Sequence, residues 1–475
     1  MSEMEAVWSV FKASAKENVA AEIERLTKNA PDGALARINA LAFAARHKLN
    51  EDDVIAALVH ATRLGLFDMS WNVLCPGCSG VLESGAALRN LDRREFYCAL
   101  CAADYEPTLD ELVEATFTVN PRVRRIAAHD PDGLSHTEYM RQVFWGSGLD
   151  LPEDLDTVVD HILLDTIELA PSEKAILSLT LPPEFAILFD PVTHTAVFLD
   201  VKGEPVLERR NLSFFLTDAH SANVKLDLRP GPVRIALENR SARRVLPGVW
   251  LHNEHMGELF GRRRPFLTAK RILSNQTFRD VYRNATLDPA QRFKIINLTI
   301  LFTDLRGSTA LYERVGDLLA FDLVRSHFAA LLEAVSLEGG AVVKTIGDAV
   351  MATFPSPDKG VRAAMRMRKA MRDMNQRSGS DDLALNIGLH EGPCLAVTVD
   401  ERSDYFGQAV NVASRVQGLA DPASVLATRA VVANEDVAAK INDGSYRARS
   451  RNVVLRGLSE TIEVYELQER DFLAA

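Results

Sequence analysis

The sequence predicts a multidomain α+β protein, and three features carry that prediction. Apolar residues recur at helical spacing through residues 1–70. Short β-rich runs crowd residues 166–252. From residue 294 onward, strands alternate with amphipathic helices, the pattern of an α/β or α+β domain with helices packed on a sheet.

In chain order, EIERL, ALARINALAFAARH and EDDVIAALVHATRLGLF place apolar residues at i, i+3 and i+4, so residues 1–70 are expected to be helical. Asn50 ahead of Glu51, Asp52 and Asp53 is a good N-cap before an acidic first turn. Residues 71–106 hold CPGC and CALC. Residues 107–165 form a mixed segment punctuated by Pro and Asp, with a further helix expected. Over 166–255, ILSLTL, FAILFD, TAVFLDV, LSFFLT, VKLDL and VRIALEN are separated by turn residues and predict a small antiparallel β-sandwich. Residues 256–293 are expected to be a helical linker with a basic run at Arg262–Arg264. That run suits acidic surface nearby or an anionic partner. The last domain, 294–468, opens with strand NLTILFTD and a helix around LLAFDLVRSHFAALLEAVS. Hairpin AVVKTIGDAVMATF, helix VRAAMRMRKAMRDMNQ, strands LALNIGLHEG and CLAVTV, and helix AVNVASRVQGL follow.

The composition is that of a soluble globular protein, with 47% hydrophobic and 25% charged residues. A net charge of −11 argues against a nucleic-acid-binding or anionic-membrane surface. No apolar window approaches the roughly 20 residues of a spanning helix, and the acidic amphipathic N-terminus lacks a secretory layout. A cytoplasmic protein is expected, and in a reducing compartment its five cysteines are not expected to form structural disulfides. Four of them, Cys75, Cys78, Cys98 and Cys101, are spaced C-x₂-C-x₁₉-C-x₂-C, which lets two knuckles present four thiolates to a structural Zn²⁺ in a zinc ribbon. Pro76, Gly77 and Gly80 supply one knuckle with its tight turn. With all four ligands cysteine, such a site is closed and structural. Free thiols or a redox pair are the other readings.

In LFTDLRGSTALYERVG, a hydrophobic strand runs into Asp304 and then a Gly-Ser-Thr turn. Asp304 either caps the next helix or holds a metal at a strand tip beside phosphate-directed N–H groups. A second carboxylate, Asp348, sits beside Gly347 in a hairpin 44 residues on. Gly-Asp is also ordinary turn chemistry. Two carboxylates at adjacent strand ends hold two divalent cations against a triphosphate, as in polymerase-like palm domains.

Four stretches, LFTDLRGST, VVKTIGDAVMATF, DYFGQAVNVASR and VVLRGLSETIEVYEL, resemble the class III nucleotidyl cyclase catalytic domain in order and spacing. The resemblance covers about residues 294–468 and implies a ferredoxin-like, palm-type fold. It implies that Asp304 and Asp348 bind two Mg²⁺ or Mn²⁺ ions per active site. It implies that the backbone of Leu305, Arg306, Gly307, Ser308 and Thr309 cradles the phosphates. Lys344 and Asp404 match the purine-reading pair, Asn411 the ribose-orienting asparagine and Arg415 the transition-state arginine. Arg456 stands where the family often has a basic residue facing the phosphates. The front half resembles an uncharacterised region upstream of bacterial class III cyclases, which suggests a sensory or regulatory module whose ligand the sequence leaves open.

Asn411 and Arg415, four apart, project from one helix face. A lysine donates and a carboxylate accepts, which suits adenine N1 and N6 and opposes guanine, so ATP is expected over GTP. In the family, the metal aspartates come from one subunit and the asparagine and arginine from the other. A chain carrying all of them resembles the homodimeric members. The expected activity is an adenylate cyclase making cyclic AMP and pyrophosphate. The alternatives are a guanylate cyclase or a catalytically weak nucleotide-binding scaffold. The absence of a GGDEF-like stretch argues against dinucleotide cyclisation. His390 and Cys394 read as strand-packing residues.

Overall fold

The structure, a computed structural model, describes residues 3–470 apart from 92–94, 219–223, 283–291, 308–312, 315, 380–382, 400–401 and 457–460. The chain forms two compact units. The first contains residues 1–86, 90–107 and 112–267, and the second 87–89, 108–111 and 268–475.

The first unit opens with helices α1 (Glu3–Ser14), α2 (Glu17–Asn29), α3 (Ala40–His47) and α4 (Glu51–Arg63). Asn50 caps α4 as expected, its side chain accepting from Asp53 N at 3.1 Å, and Asn39 caps α3 through Leu41 N and Ala42 N. Each such cap is worth about 1 kcal/mol. Strand β1 (Phe67–Leu74) begins within the stretch expected to be helical. It is the centre of an antiparallel sheet between β2 (Val81–Gly85) and a later strand. A separate hairpin, β3 (Phe96–Cys98) and β4 (Ala103–Tyr105), follows. The third strand of the first sheet is β5 (Val113–Val119), which the mixed 107–165 segment conceals. On it, Glu114 is fully buried. It accepts from Arg37 at 2.8 Å, Asn72 at 3.1 Å, Ser147 N at 3.0 Å and Ser147 Oγ at 2.8 Å. A buried carboxylate persists only when it is satisfied in this way.

Helix α5 (His136–Tyr139) continues into a π turn, Met140–Phe144, and α6 (Leu155–Ile162) follows. The sandwich contains β6 (Leu163–Thr166), β7 (Lys174–Leu181), β8 (Ala186–Asp190), β9 (Thr195–Val201), β10 (Arg210–Leu216), β11 (Val224–Leu228), β12 (Gly231–Asn239) and β13 (Gly248–Leu251). Its sheets run β10-β12-β7 and β11-β9-β8-β13-β6 around one apolar core. The expectation of an antiparallel sandwich is corrected here, because β10 pairs with β12 and β11 with β9 in parallel. From β9 to β12 each connection crosses to the other sheet, so alternate strands lie side by side in the same direction. Helix α7 (Glu254–Gly261) closes the unit. The basic run is used internally: Arg263 donates to Gly77 O at 2.5 Å and Arg264 meets Asp150 at 3.3 Å.

The second unit starts with α8 (Ala269–Leu273) and α9 (Gln276–Val281). It continues with β14 (Phe293–Leu305), α10 (Asp317–Leu337), β15 (Ala341–Ile346), β16 (Ala349–Phe354) and α11 (Pro357–Ser378). Then come β17 (Leu385–Val399), β18 (Arg402–Phe406), α12 (Gln408–Gln417), β19 (Val425–Thr428), α13 (Arg429–Val432), α14 (Glu435–Asn442), β20 (Tyr446–Val454) and β21 (Thr461–Glu469). LALNIGLHEG and CLAVTV belong to one continuous strand, β17. The sheet order is β15-β16-β14-β17-β19-β21-β20, with β18 paired to β17. Alternation along β19 divides its core: Val425 and Ala427 meet the cluster holding α10 and α11, while Leu426 packs with Val412 and Val416 of α12.

Candidate active site and cysteine cluster

Strand register brings the two aspartates together. Strands β14 and β16 pair antiparallel with Thr303 opposite Val350, so one step further along β14 lies abreast of the Gly347–Asp348 turn. Gly347 takes φ +63°, a left-handed conformation that disfavours side chains. Burial and the nearby Asp348 charge both raise the Asp304 pKa. Neither carboxylate has an ion-pair partner among the described residues, and both are partly accessible. A mutually repelling, unpaired carboxylate pair at strand ends is a donor set that fits hard divalent cations. Beyond Asp304, Leu305 is buried and ends the strand, Arg306 N donates to Ala384 O at 2.7 Å, and Gly307 takes φ +74°. Ser308 and Thr309 lie outside the described residues.

Lys344 and Asp404, sixty residues apart, are in direct contact, with Nζ 2.6 Å from Oδ2. The other Asp404 oxygen accepts from Tyr405 N at 2.8 Å. The Asp404 side chain is only 13% exposed and that of Lys344 40%, so the carboxylate is the fixed member and the lysine reaches toward solvent. Lys344 follows a β-bulge: Val342 pairs with Ala352 and Lys344 with Met351, leaving Val343 as the extra residue. Bulges re-aim the side chains beside them.

Helix α12 buries Ala409, Val412, Ala413 and Val416, leaving Asn411 exposed and Arg415 partly exposed. The helix can lie this close because β17 carries Gly388, where a Cβ would fall 2.2 Å from Gln417 N. Asn411 and Arg415 make no hydrogen bond or ion pair among the described residues, so none of these ties them to Asp304 or Asp348. Arg456 is exposed just beyond β20. His390 is bonded through Nδ1 to Thr428 Oγ1 at 2.8 Å, and burial lowers its pKa to about 4. Burial pushes the Cys394 thiol up to about 12. Both residues are strand-packing groups.

Sequence reasoning missed two residues here. His327 of α10 is fully buried, its Nδ1 3.2 Å from Met371 Sδ. Burial lowers its pKa to about 4, against the opposing pull of Asp348. It falls on the stripe Ala320, Val324, Leu331 and Val335, a helical spacing that marks it as inward-facing. Arg279 of α9 donates through Nη2 to Ser403 O at 2.7 Å and Val343 O at 3.4 Å. No motif flags it.

The four cysteines converge in the first unit, their Sγ atoms all within 4.8 Å of one another. Cys75 and Cys78 lie between β1 and β2, while Cys98 and Cys101 lie between the ends of β3 and β4. Sγ separations are 3.6 Å for Cys75–Cys101 and 3.7 Å for Cys78–Cys98. Tetrahedral Zn²⁺ with bonds of about 2.3 Å requires sulfur–sulfur edges of about 3.8 Å, so the cluster fits. In each knuckle the residue after the second cysteine turns left-handed, Ser79 at φ 57° and Ala102 at φ 53°. The Cys75 thiol is pulled down by the facing thiols, Cys101 foremost, whereas Cys78 and Cys98 are pushed up.

The fold and clustered site define the class. Residues 290–469 match the family model of the adenylate and guanylate cyclase catalytic domain, and the chain carries such a domain. Residues 1–280 match a family of unknown function, DUF5939. That match spans more than half of the 475 residues, and the chain belongs to the DUF5939 family. An adenylate cyclase of Anabaena cylindrica is 32% identical over 186 residues, which cover 36% of this chain and 36% of that protein. Adenylate cyclase 2 of Rhizobium meliloti is 30% identical over 165 residues, 32% of this chain and 44% of that one. The chain thus spans less than half the length of these relatives. The crystal structure of the adenylyl cyclase CyaB from P. aeruginosa aligns over 38% of this chain and 98% of its own, at 24% identity and TM-score 0.33. No helix among the described residues is long and apolar enough to cross a membrane.

Proposed function

We propose that the protein is an adenylate cyclase that converts ATP to 3′,5′-cyclic AMP and pyrophosphate. The observation that carries this reading is the Lys344–Asp404 contact at 2.6 Å, a donor and an acceptor set side by side. Adenine offers an acceptor at N1 and a donor at N6, so the pair satisfies both, whereas guanine would meet each with a group of its own kind. Relatives named as adenylate cyclases agree with this choice.

The 3′-oxygen attacks the α-phosphorus of the same nucleotide, a phosphorus–oxygen bond to the β-phosphate breaks, and pyrophosphate leaves. Asp304 and Asp348 would hold two Mg²⁺ or Mn²⁺ ions. Such ions lower the pKa of the attacking hydroxyl and offset charge on the leaving group. Asn411 orients the ribose, and Arg415 lays a planar cation against the charge that builds on the α-phosphate oxygens. Arg456 faces the phosphates.

The site is shared between two copies, each completing the other; the lack of any hydrogen bond or ion pair from Arg415 to the aspartates among the described residues supports this. The exposed apolar side chains Phe321, Ile346 and Phe406 in the same unit suit burial in such a homodimer. The cysteine cluster holds a structural Zn²⁺, and the DUF5939 region regulates how two catalytic units meet, in a cytoplasmic setting. Purified protein given ATP or GTP with Mg²⁺ or Mn²⁺, with products separated by chromatography, tests the reading. Cyclic AMP as the dominant product supports it, and equal turnover of GTP removes it.

A further inference from the structure

We infer that Arg279 is a positioning residue for base selection, holding the two backbone carbonyls that immediately precede Lys344 and Asp404. This rests on the reading of that pair as the purine-recognition pair. The geometry is direct: one guanidinium nitrogen, Nη2, lies 2.7 Å from Ser403 O and 3.4 Å from Val343 O. Ser403 precedes Asp404, and Val343 precedes Lys344.

The Val343 carbonyl in particular needs such a donor. Strand β15 ends its sheet, so among the described residues its outer edge has no neighbouring strand. Val343 is the bulged residue, whose carbonyl a regular ladder would not engage. Helix α9 supplies what a strand would. Gln276 N donates to Gly340 O at 3.1 Å, Gln276 Oε1 accepts from Val342 N at 2.8 Å, and Arg279 takes the next carbonyl. The same side chain reaches across to β18. It therefore fixes the spacing between the backbone stretches that carry the lysine and the aspartate. Nη2 carries two N–H donors held in the plane of a permanently charged guanidinium, which aims both of them, whereas a lysine ammonium sits on a flexible stem that leaves its donors unaimed. Loss of the guanidinium frees the bulge to re-aim Lys344, and the pair stops presenting donor and acceptor at adenine's spacing. Arg279 lies outside the stretch that matches the cyclase domain, so base selection depends on a residue contributed from ahead of it.

The test uses the full chain as wild type and as three variants, Arg279→Met, Arg279→Lys and Lys270→Ala. Lys270 fastens the same segment at Asn297 O, away from the pair, and serves as the control for simple loosening. Values of kcat and KM for ATP and GTP are measured, together with hydrogen exchange over 343–346 and 402–406. Arg279→Met is expected to lower the ATP-to-GTP ratio of kcat/KM by about tenfold or more, mainly through KM for ATP. Arg279→Lys should fall between, and Lys270→Ala should keep the wild-type ratio. Exchange in both stretches should quicken in Arg279→Met alone. A wild-type ratio in Arg279→Met, with a melting temperature lowered as in Lys270→Ala, overturns the inference and leaves Arg279 a structural staple. Should wild type use both nucleotides equally, the base-selection reading itself fails. The clamp is then judged by exchange, and unchanged protection in Arg279→Met refutes it.

Discussion

Replacing Asp304 with asparagine should stabilise the catalytic unit while removing its activity. The side chain is isosteric, so packing is preserved and only charge changes. Burial and the Asp348 charge raise the Asp304 pKa, so the folded state favours its protonated form. A carboxylate with a raised pKa contributes stability that is full below the ordinary aspartate value and is lost as pH rises through the raised one. Above that raised pKa the wild type therefore bears the whole cost. Asp304 is partly accessible, and a screened charge pair is worth about 0.2–1 kcal/mol. With partial burial added, the gain in Asp304→Asn is about 1 kcal/mol, or about 2–4 °C for a unit of this size. The gain should shrink as pH falls through the raised pKa. Divalent cations reverse the order: at a hundred times Kd, bound Mn²⁺ stabilises the wild type by about 2.7 kcal/mol, and the asparagine variant gains little. All four tryptophans, Trp8, Trp71, Trp145 and Trp250, lie in the first unit, so their emission does not report this transition. Calorimetry in EDTA and then in Mn²⁺ is the assay. An asparagine variant that melts lower than wild type in EDTA, or that gains as much from Mn²⁺, refutes the paired-carboxylate reasoning.

Three further outcomes are expected. Asp304→Ala and Arg415→Ala should each be inactive, the latter by about 10³–10⁵ in rate, and mixing them should restore activity as hybrid dimers form; a persistently dead mixture with hybrids present by mass spectrometry rules out the shared site. Lys344→Met should lower kcat/KM for ATP about 10–100-fold, the worth of one charged hydrogen bond, and raise relative GTP use, as read by product chromatography. Cys98→Ser should cost the protein its bound zinc by metal analysis and lower the melting temperature followed by tryptophan emission, since metal binding and folding are coupled; full zinc retention counts against the four-thiolate site.

Much of the site was legible because its residues sit in short motifs whose local structure is self-determined. The strand before Asp304, the Gly347 turn and the amphipathic face of α12 each follow from composition and period. One antiparallel register sets Asp304 abreast of the Gly347–Asp348 turn, whereas no hydrogen bond or ion pair among the described residues joins the α12 face to them. The cysteine spacing likewise fixed the knuckles, although the left-handed turns at Ser79 and Ala102 carry no glycine to announce them. The sandwich was legible as strands but not as pairings. Residues 195–239 hold runs spaced like hairpins, yet successive runs alternate between sheets. Close spacing records only that the chain turns, not whether it stays in the same sheet. Strand β5 escaped for a different reason. VEATFTV carries a buried Glu114, which reads as a polar position until Arg37, Asn72 and Ser147 are seen around it.

The position of the boundary between the two units has a physical cause. The DUF5939 match runs to residue 280, but the compact units divide between Leu267 and Thr268. Residues 268–280 therefore belong by sequence to one family and by packing to the other domain. Their sequence shows nothing of this, since α8 and α9 are too short for a periodic signal. What recruits them is the unpaired edge of β15, whose backbone groups must be satisfied. Gln276 and Arg279 satisfy them, and Phe278 seals the contact at 2% exposure. Substitutions in this short segment should therefore act as catalytic-unit variants. Phe278→Ala, which removes a buried aromatic side chain, should lower the calorimetric transition of the second unit by about 3–5 kcal/mol and leave the tryptophan-reported transition of the first where it was. A loss confined to the tryptophan signal would place the segment in the other unit and undo this account of the boundary.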